Sequence, residues 1–105
     1  MKNIVIAALS LTLVLCFAQI AGANGKTGEE LFEQHCSACH PNGSNVINPD
    51  FTLHKKDRER HGVKTASDII GKMRNPGPGM MQFPKTAVSD ADAKKIADYV
   101  MKTFK

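Results

Sequence analysis

Cys36-Ser37-Ala38-Cys39-His40 is a C-x-x-C-H motif, the spacing used for covalent attachment of haem. Two thiols one helical turn apart add to the two vinyl groups along one porphyrin edge, and the adjacent imidazole projects at the iron. Competing uses of such a pair find little support. A redox C-x-x-C belongs beside a βαβ pattern, and the chain shows no β-alternation; a zinc site needs a second Cys/His cluster, and no cysteine follows Cys39. The motif therefore assigns one covalent haem c to Cys36 and Cys39, with His40 as the proximal iron ligand.

Upstream of the motif, Lys2 precedes an apolar run from Ile4 to Ile20, broken only by Ser10, Thr12 and Gln19, which ends in Ala21-Gly22-Ala23. A positive start, an apolar middle and a small-residue exit of the A-x-A type describe a secretory signal peptide over 1–23. Residues 24–105 then form one small haem domain. A retained membrane anchor would use the same run, but the small-residue exit and the following Asn24-Gly25 favour removal. Lipid attachment at Cys16 wants a small residue before it, where Leu15 stands. Cys16 is thus expected to leave with the signal, and the mature protein to reside in the periplasm, without stable membrane insertion. Export suits thioether chemistry, which is carried out on the far side of the membrane.

The mature chain is too short to build a large core, and with both remaining cysteines committed to haem it has no disulfide to staple it. The haem is expected to supply much of the apolar interior. The formal net charge of the whole chain is +4, with aromatic residues at 6% and no basic stripe, which is not the footprint of a nucleic-acid binder. Lys55, Lys56, Arg58 and Arg60 alternate with Asp57 and Glu59, a pattern expected to form a solvated segment.

Three helices can be read. Thr27-Gly28-Glu29-Glu30 is a capping box that opens the first, which carries Leu31, Phe32 and His35 into the haem motif and stops at Pro41-Asn42-Gly43. A middle helix starts at Thr65 or Ser67, carries Ile69, Ile70 and Met73, and breaks at Asn75-Pro76-Gly77-Pro78-Gly79. The last starts at Ser89-Asp90-Ala91-Asp92 and lines up Ala93, Ile96, Ala97, Val100 and Phe104 in one stripe, with Tyr99 beside it. A fourth, short helix is expected near 51–60 within the long loop 42–63. The fold class is all-α.

The sixth iron ligand decides what such a site does. Thioether sulfur favours ferrous iron, a second imidazole lowers the potential, and an open position admits small ligands. Met80 and Met81, just beyond the Pro/Gly-rich loop, are placed to fold a sulfur over the haem face opposite His40; His54 and His61 are the imidazole candidates. His35 directly precedes Cys36 on the proximal side, and Met73 on the middle helix is expected to pack on the porphyrin. His40 needs an acceptor for its second ring nitrogen, expected from a carbonyl in the 43–50 loop, with Pro49 the candidate.

With these residues in place, the chain resembles the class I monohaem c-type cytochromes, and within them the cytochrome c6 and bacterial c553 group. Gly28 and Phe32 stand where that family places a small residue and an aromatic on its first helix, and Tyr99 where an aromatic of the last helix packs against them. Asn45-Val46-Ile47, Pro49 and Thr52-Leu53 echo a loop of the c6 type. The family's distal stretch, Q-V-x-N-G-x-x-x-M-P-x-F, falls in register with Lys72-Met73-Arg74-Asn75 and Met80-Met81-Gln82-Phe83. That register implies Met80, with Met81 the alternative, as the distal ligand. Three departures stand out: Lys72 replaces the family Gln, Met81 replaces the Pro after the ligand, and Pro76 and Pro78 are added.

The resemblance implies a small class I cytochrome c fold, three to four helices wrapped around one covalently bound haem. It implies a periplasmic one-electron carrier rather than an enzyme, a monomer serving redox proteins (other cytochromes, reductases or oxidases) in transient complexes. Lys72, Lys85 and the 55–60 cluster would bias docking towards acidic partners, or serve only as solubilising charges. The alternative is a peroxidase-like or gas-sensing haem protein with an open, displaceable or bis-His sixth position, for which only His54 or His61 offers a distal acid/base group.

Overall fold

Each of the three longer helices begins where a side chain caps it. The structure, a computed structural model, describes residues 25–105; the expected signal peptide, with Cys16, lies outside the described residues. Helix α1 spans Gly28–His35, and its capping box is complete: the Glu30 N–H donates to Thr27 Oγ1 at 3.2 Å, and the Thr27 N–H donates to Glu30 Oε2 at 2.7 Å. A six-residue α2 follows at Lys55–Arg60. Helix α3, Ala66–Arg74, opens on a second capping box between Thr65 and Asp68. Ser89 caps α4, Asp90–Thr103, by accepting from the Asp92 N–H at 3.2 Å. Among the described residues there is no strand, and no helix is long and apolar enough to cross a membrane.

The apolar stripe of α4 is the spine of the core. Ala93, Ile96, Ala97 and Val100 are buried, as expected from their period, and α1 and α3 both pack against this helix. The crossing of α1 on α4 is close enough to require a glycine. A Cβ at Gly28 would collide with the Lys95 carbonyl oxygen and lie 2.9 Å from Tyr99 Cβ. One turn on, Phe32 packs between Tyr99 and Phe104, with ring centroids at 5.3 and 5.4 Å, in tilted geometries favourable to aromatic pairs.

Two expectations fail in detail. The first helix does not run through the haem motif; it ends at His35, where the N–H groups of Cys36 and Ser37 both donate to the Phe32 carbonyl. One further turn, closed by the His40 N–H on the Cys36 carbonyl at 2.9 Å, carries the motif. A short 3₁₀ turn, Pro41–Gly43, ends it through left-handed Asn42 (φ 53°) and Gly43 (φ 79°). Gly43 is doubly constrained, since a Cβ there would sit 2.5 Å from the Phe104 ring. The second failure is Arg58. Lys55, Lys56 and Arg60 are exposed as expected of a solvated segment, but Arg58 is only 4% exposed. A helix of six residues laid on the end of α4 turns one position inward, and here that position holds an arginine.

Gly28→Val and Gly71→Ala should move stability in opposite directions. The first forces α1 off α4 and should cost about 1–3 kcal/mol. The second adds a methyl in open space on α3 and should add about 0.5–1 kcal/mol. Denaturant unfolding of the haem-loaded variants measures both.

Candidate haem-binding site

The helices and the two long loops enclose a cavity of about 430 Å³, walled by Phe32, Leu53, Ile69, Met73, Ile96 and Val100 among others. Cys36, His40 and Met80 also line it, so the turn after α1 and the loop after α3 meet there. Beside it lies a smaller void lined by Cys39, Ile47 and Met81, with Cys36, His40 and Met80 contributing to both. Met81 does not reach the large cavity and is 69% exposed, whereas Met80 is half-buried.

His40 is oriented by its second nitrogen. Its Nδ1 lies 2.8 Å from the Ser44 carbonyl oxygen, a bond that places the proton on Nδ1 and frees Nε2 for a metal. The acceptor falls within the expected 43–50 loop, but it is Ser44 rather than Pro49. The left-handed pair Asn42-Gly43 turns the chain back under the imidazole at once, so the first carbonyl after the turn is the one in reach.

Cys36 is not built as a redox thiol. Burial, and secondarily the neighbouring Cys39, push its thiol up to about 11, whereas a reactive C-x-x-C pair depends on a lowered value. A zinc site has no second half: among the described residues no group of three or more His, Cys, Asp or Glu could hold a metal ion. Two thiols at the edge of an apolar cavity, an imidazole with Nε2 free and a thioether in the same cavity do fit a covalently held haem.

The histidine alternatives separate. His54 stands at the N-terminal boundary of α2 without a side-chain capping bond, is exposed and packs edge-on against Phe104. His61 lines the cavity, but it stacks on Phe51 at 3.8 Å and its Nε2 lies 3.1 Å from the Asp50 carbonyl oxygen. His35 lines only the smaller void and packs edge-on to Phe83.

The loop that carries Met80 is held by Arg74, a residue sequence reasoning passed over. Its Nη1 donates to the carbonyls of Phe83 and Val88, both at 2.8 Å, and its Nη2 to Asp90 Oδ1 at 2.9 Å. Its Nε is buried without a partner. The Phe83 N–H returns to the Met73 carbonyl, and Gln82 Nε2 donates to that of Arg74. The available signal was a basic residue in the last turn of a helix before a Pro/Gly loop, a place where cations meet free carbonyls. Gly79 (φ 90°) brings the loop backbone against Ile47.

Three of the six basic residues suspected of docking are paired at home. Lys55 meets Glu59 at 4.0 Å, Arg60 meets Asp57 at 3.2 Å, and Lys85 meets Asp90 at 3.1 Å. Lys72 lines the large cavity and has no ion-pair partner among the described residues.

Comparison with known proteins places these features in a family. The family profile described as cytochrome c oxidase, cbb3-type, subunit III matches residues 23–100. The chain is 35% identical to cytochrome c6 of Cyanidium caldarium over 103 residues, covering 95% of this chain and 92% of that protein. Among solved structures, OmcF, the outer membrane cytochrome F of Geobacter sulfurreducens, is 45% identical with a TM-score of 0.72, covering 74% of this chain and 99% of that one. Cytochrome c6 of the diatom Phaeodactylum tricornutum is 34% identical with a TM-score of 0.67, covering 71% and 87%.

A cavity of this size bears on folding. Without the haem, the apolar side chains of Phe32, Ile69, Met73, Ile96 and Val100 that line it would face water, and a domain this small has little other core to offset that loss. The Cys36→Ala/Cys39→Ala double variant, made without haem, should therefore show no cooperative thermal transition by circular dichroism.

Proposed function

The chain belongs to the class I c-type cytochromes of the cytochrome c6 group, and from that membership we propose that it is an exported one-electron carrier whose iron is held between His40 and Met80. Membership makes it a small all-α electron-transfer protein with one covalently bound haem c and redox proteins for partners. Residue roles, location and docking surface are the proposal. The observation that carries it is the shared cavity: His40 and Met80 line the same apolar space, and His40 Nδ1 is already committed to the Ser44 carbonyl.

Cys36 and Cys39 would hold the haem through thioethers, His40 Nε2 would ligate the iron, and Met80 Sδ would close the sixth position. When bound, the group supplies a ferric/ferrous couple. The protein's own part is to change little between the two states. Ser44 keeps the imidazole in one tautomer and one plane. The Arg74 bonds to Phe83, Val88 and Asp90 keep the Met80 loop in one conformation. Phe32, Ile96 and Val100 keep water out of the interior side of the cavity. Met80 is favoured over Met81 because only Met80 reaches the large cavity.

Docking is proposed at the cavity edge by Cys39. The stretches 36–49 and 75–84 contain no Lys, Arg, Asp or Glu. Val46, Ile47 and Met81 are 58%, 60% and 69% exposed there. With Lys55, Arg60 and Lys85 paired to their own neighbours, a brief apolar contact of the monomer with its redox partners suits this face better than a strong electrostatic one. The apolar run and Ala21-Gly22-Ala23 support export and cleavage after residue 23 into the periplasm, with 24–105 as the cytochrome domain.

The ferric protein should show the sulfur-to-iron charge-transfer band, and the reduced protein should bind carbon monoxide poorly. Met80→Ala should lose the band and admit carbon monoxide, while Met81→Ala should keep it. Survival of the band in Met80→Ala would transfer the ligand role to Met81. Absence of the band in the unaltered protein, with ready carbon monoxide binding, would end the closed-carrier reading.

A further inference from the structure

We propose that Arg58 raises the reduction potential, by holding a permanent positive charge against the wall of the haem cavity with no carboxylate side chain paired to it among the described residues. The inference rests on the haem occupying that cavity and goes beyond the carrier role to what tunes it. Arg58 is the one buried charged side chain among the described residues, at 4% exposure, and it lines the large cavity together with His40 and Met80. Each of its three nitrogens donates one hydrogen bond, and each of those goes to a neutral acceptor. Nε donates to the Leu53 carbonyl at 2.6 Å, Nη1 to Met101 Sδ at 2.9 Å, and Nη2 to the Phe104 carbonyl at 3.3 Å.

Among the described residues no ion pair with a carboxylate side chain relieves it. The neighbouring acids are committed elsewhere, Asp57 to Thr52 and Arg60, and Glu59 to Lys55. One acceptor is the carbonyl of Phe104, the C-cap of α4, where the helix end carries partial negative charge and a cation is stabilised; Met101 Sδ, from the last turn of the same helix, is a second. That explains how the charge is tolerated without explaining it away, because the helix end supplies dipoles and no formal charge. An arginine guanidinium carries a permanent charge. Arg58 thus keeps its full charge in a poorly hydrated place, where Coulomb interactions are several times stronger than in water.

The consequence has a definite sign. Taking up one electron lowers the positive charge of the iron centre by one unit, and a nearby fixed cation favours the state with less positive charge. Arg58 therefore stabilises ferrous over ferric iron and raises the potential. It does so as a positioning and charge-bearing residue that makes no contact with the iron.

Spectroelectrochemical titration of the holoprotein tests the assignment, with absorption spectra showing in every variant that haem is attached and ligated. Arg58→Met should shift the ferric-to-ferrous ratio at a fixed ambient potential about fivefold towards ferric, about 40 mV at 59 mV per tenfold. Arg58→Lys should restore the wild-type value even though it loses the forked bonds and some stability. Should Arg58→Met fail to retain haem, Arg58→Gln, which keeps two donors for the carbonyls, carries the same test. Met101→Leu removes an acceptor but no charge and should leave the potential unchanged. A wild-type potential in a folded neutral variant overturns the proposal. So does an equal drop in Met101→Leu, which would assign the effect to packing. Neither outcome touches the haem assignment, which stands or falls on the spectra.

Discussion

The close approach of α1 to α4 at Gly28 is the constraint on which the other contacts depend. With no Cβ between them, the α1 backbone settles on the Lys95 carbonyl, and Phe32 reaches Tyr99 and Phe104. Phe104 extends the effect past the end of α4. Its ring occupies the space that a side chain at residue 43 would need. Its carbonyl accepts from the Lys55 N–H and from Arg58. One residue at the end of the last helix thus ties the haem-motif turn and the α2 segment to the core.

The site is then assembled from two loops that have little structure of their own. On one side, a left-handed turn at Asn42-Gly43 delivers the Ser44 carbonyl to His40. On the other, Arg74 gathers Phe83, Val88 and Asp90, holding the loop that brings Met80 to the cavity. Both devices rest on hydrogen bonds from a side chain to backbone carbonyls, joined in the second by the Asp90 carboxylate. A small chain can in this way bring two groups to one large cavity, leaving the cofactor to supply the interior that its own apolar residues cannot.

Charge is arranged on the same economy. Surface cations are paired mostly within three to five residues of themselves, as with Lys55–Glu59 and Lys85–Asp90, and such exposed pairs contribute little to stability. The stretches flanking Cys39 and Met81 carry no charged side chain. Arg58, by contrast, is buried among neutral acceptors, the one charged residue among the described residues that is buried.

What the amino-acid sequence determined alone was everything that depends on spacing along the chain. The C-x-x-C-H motif, the capping boxes at Thr27 and Thr65, the Ser89 cap and the buried stripe from Ala93 to Val100 are short-range patterns, and helix geometry converts them directly into position. The family register added the pairing of Gly28 with Tyr99, which the structure contains. Backbone conformation that the spacing does not encode, and tertiary contact, decided the rest. That α1 stops at His35 follows from two N–H groups sharing the Phe32 carbonyl. That Ser44 and not Pro49 meets His40 follows from two left-handed residues. Arg58 looked like one more solvated cation in an alternating run, yet its acceptors at Met101 and Phe104 lie 43 and 46 residues away. No local pattern encodes a partner at that distance, because it exists only once α4 has docked and its free carbonyls have come within reach.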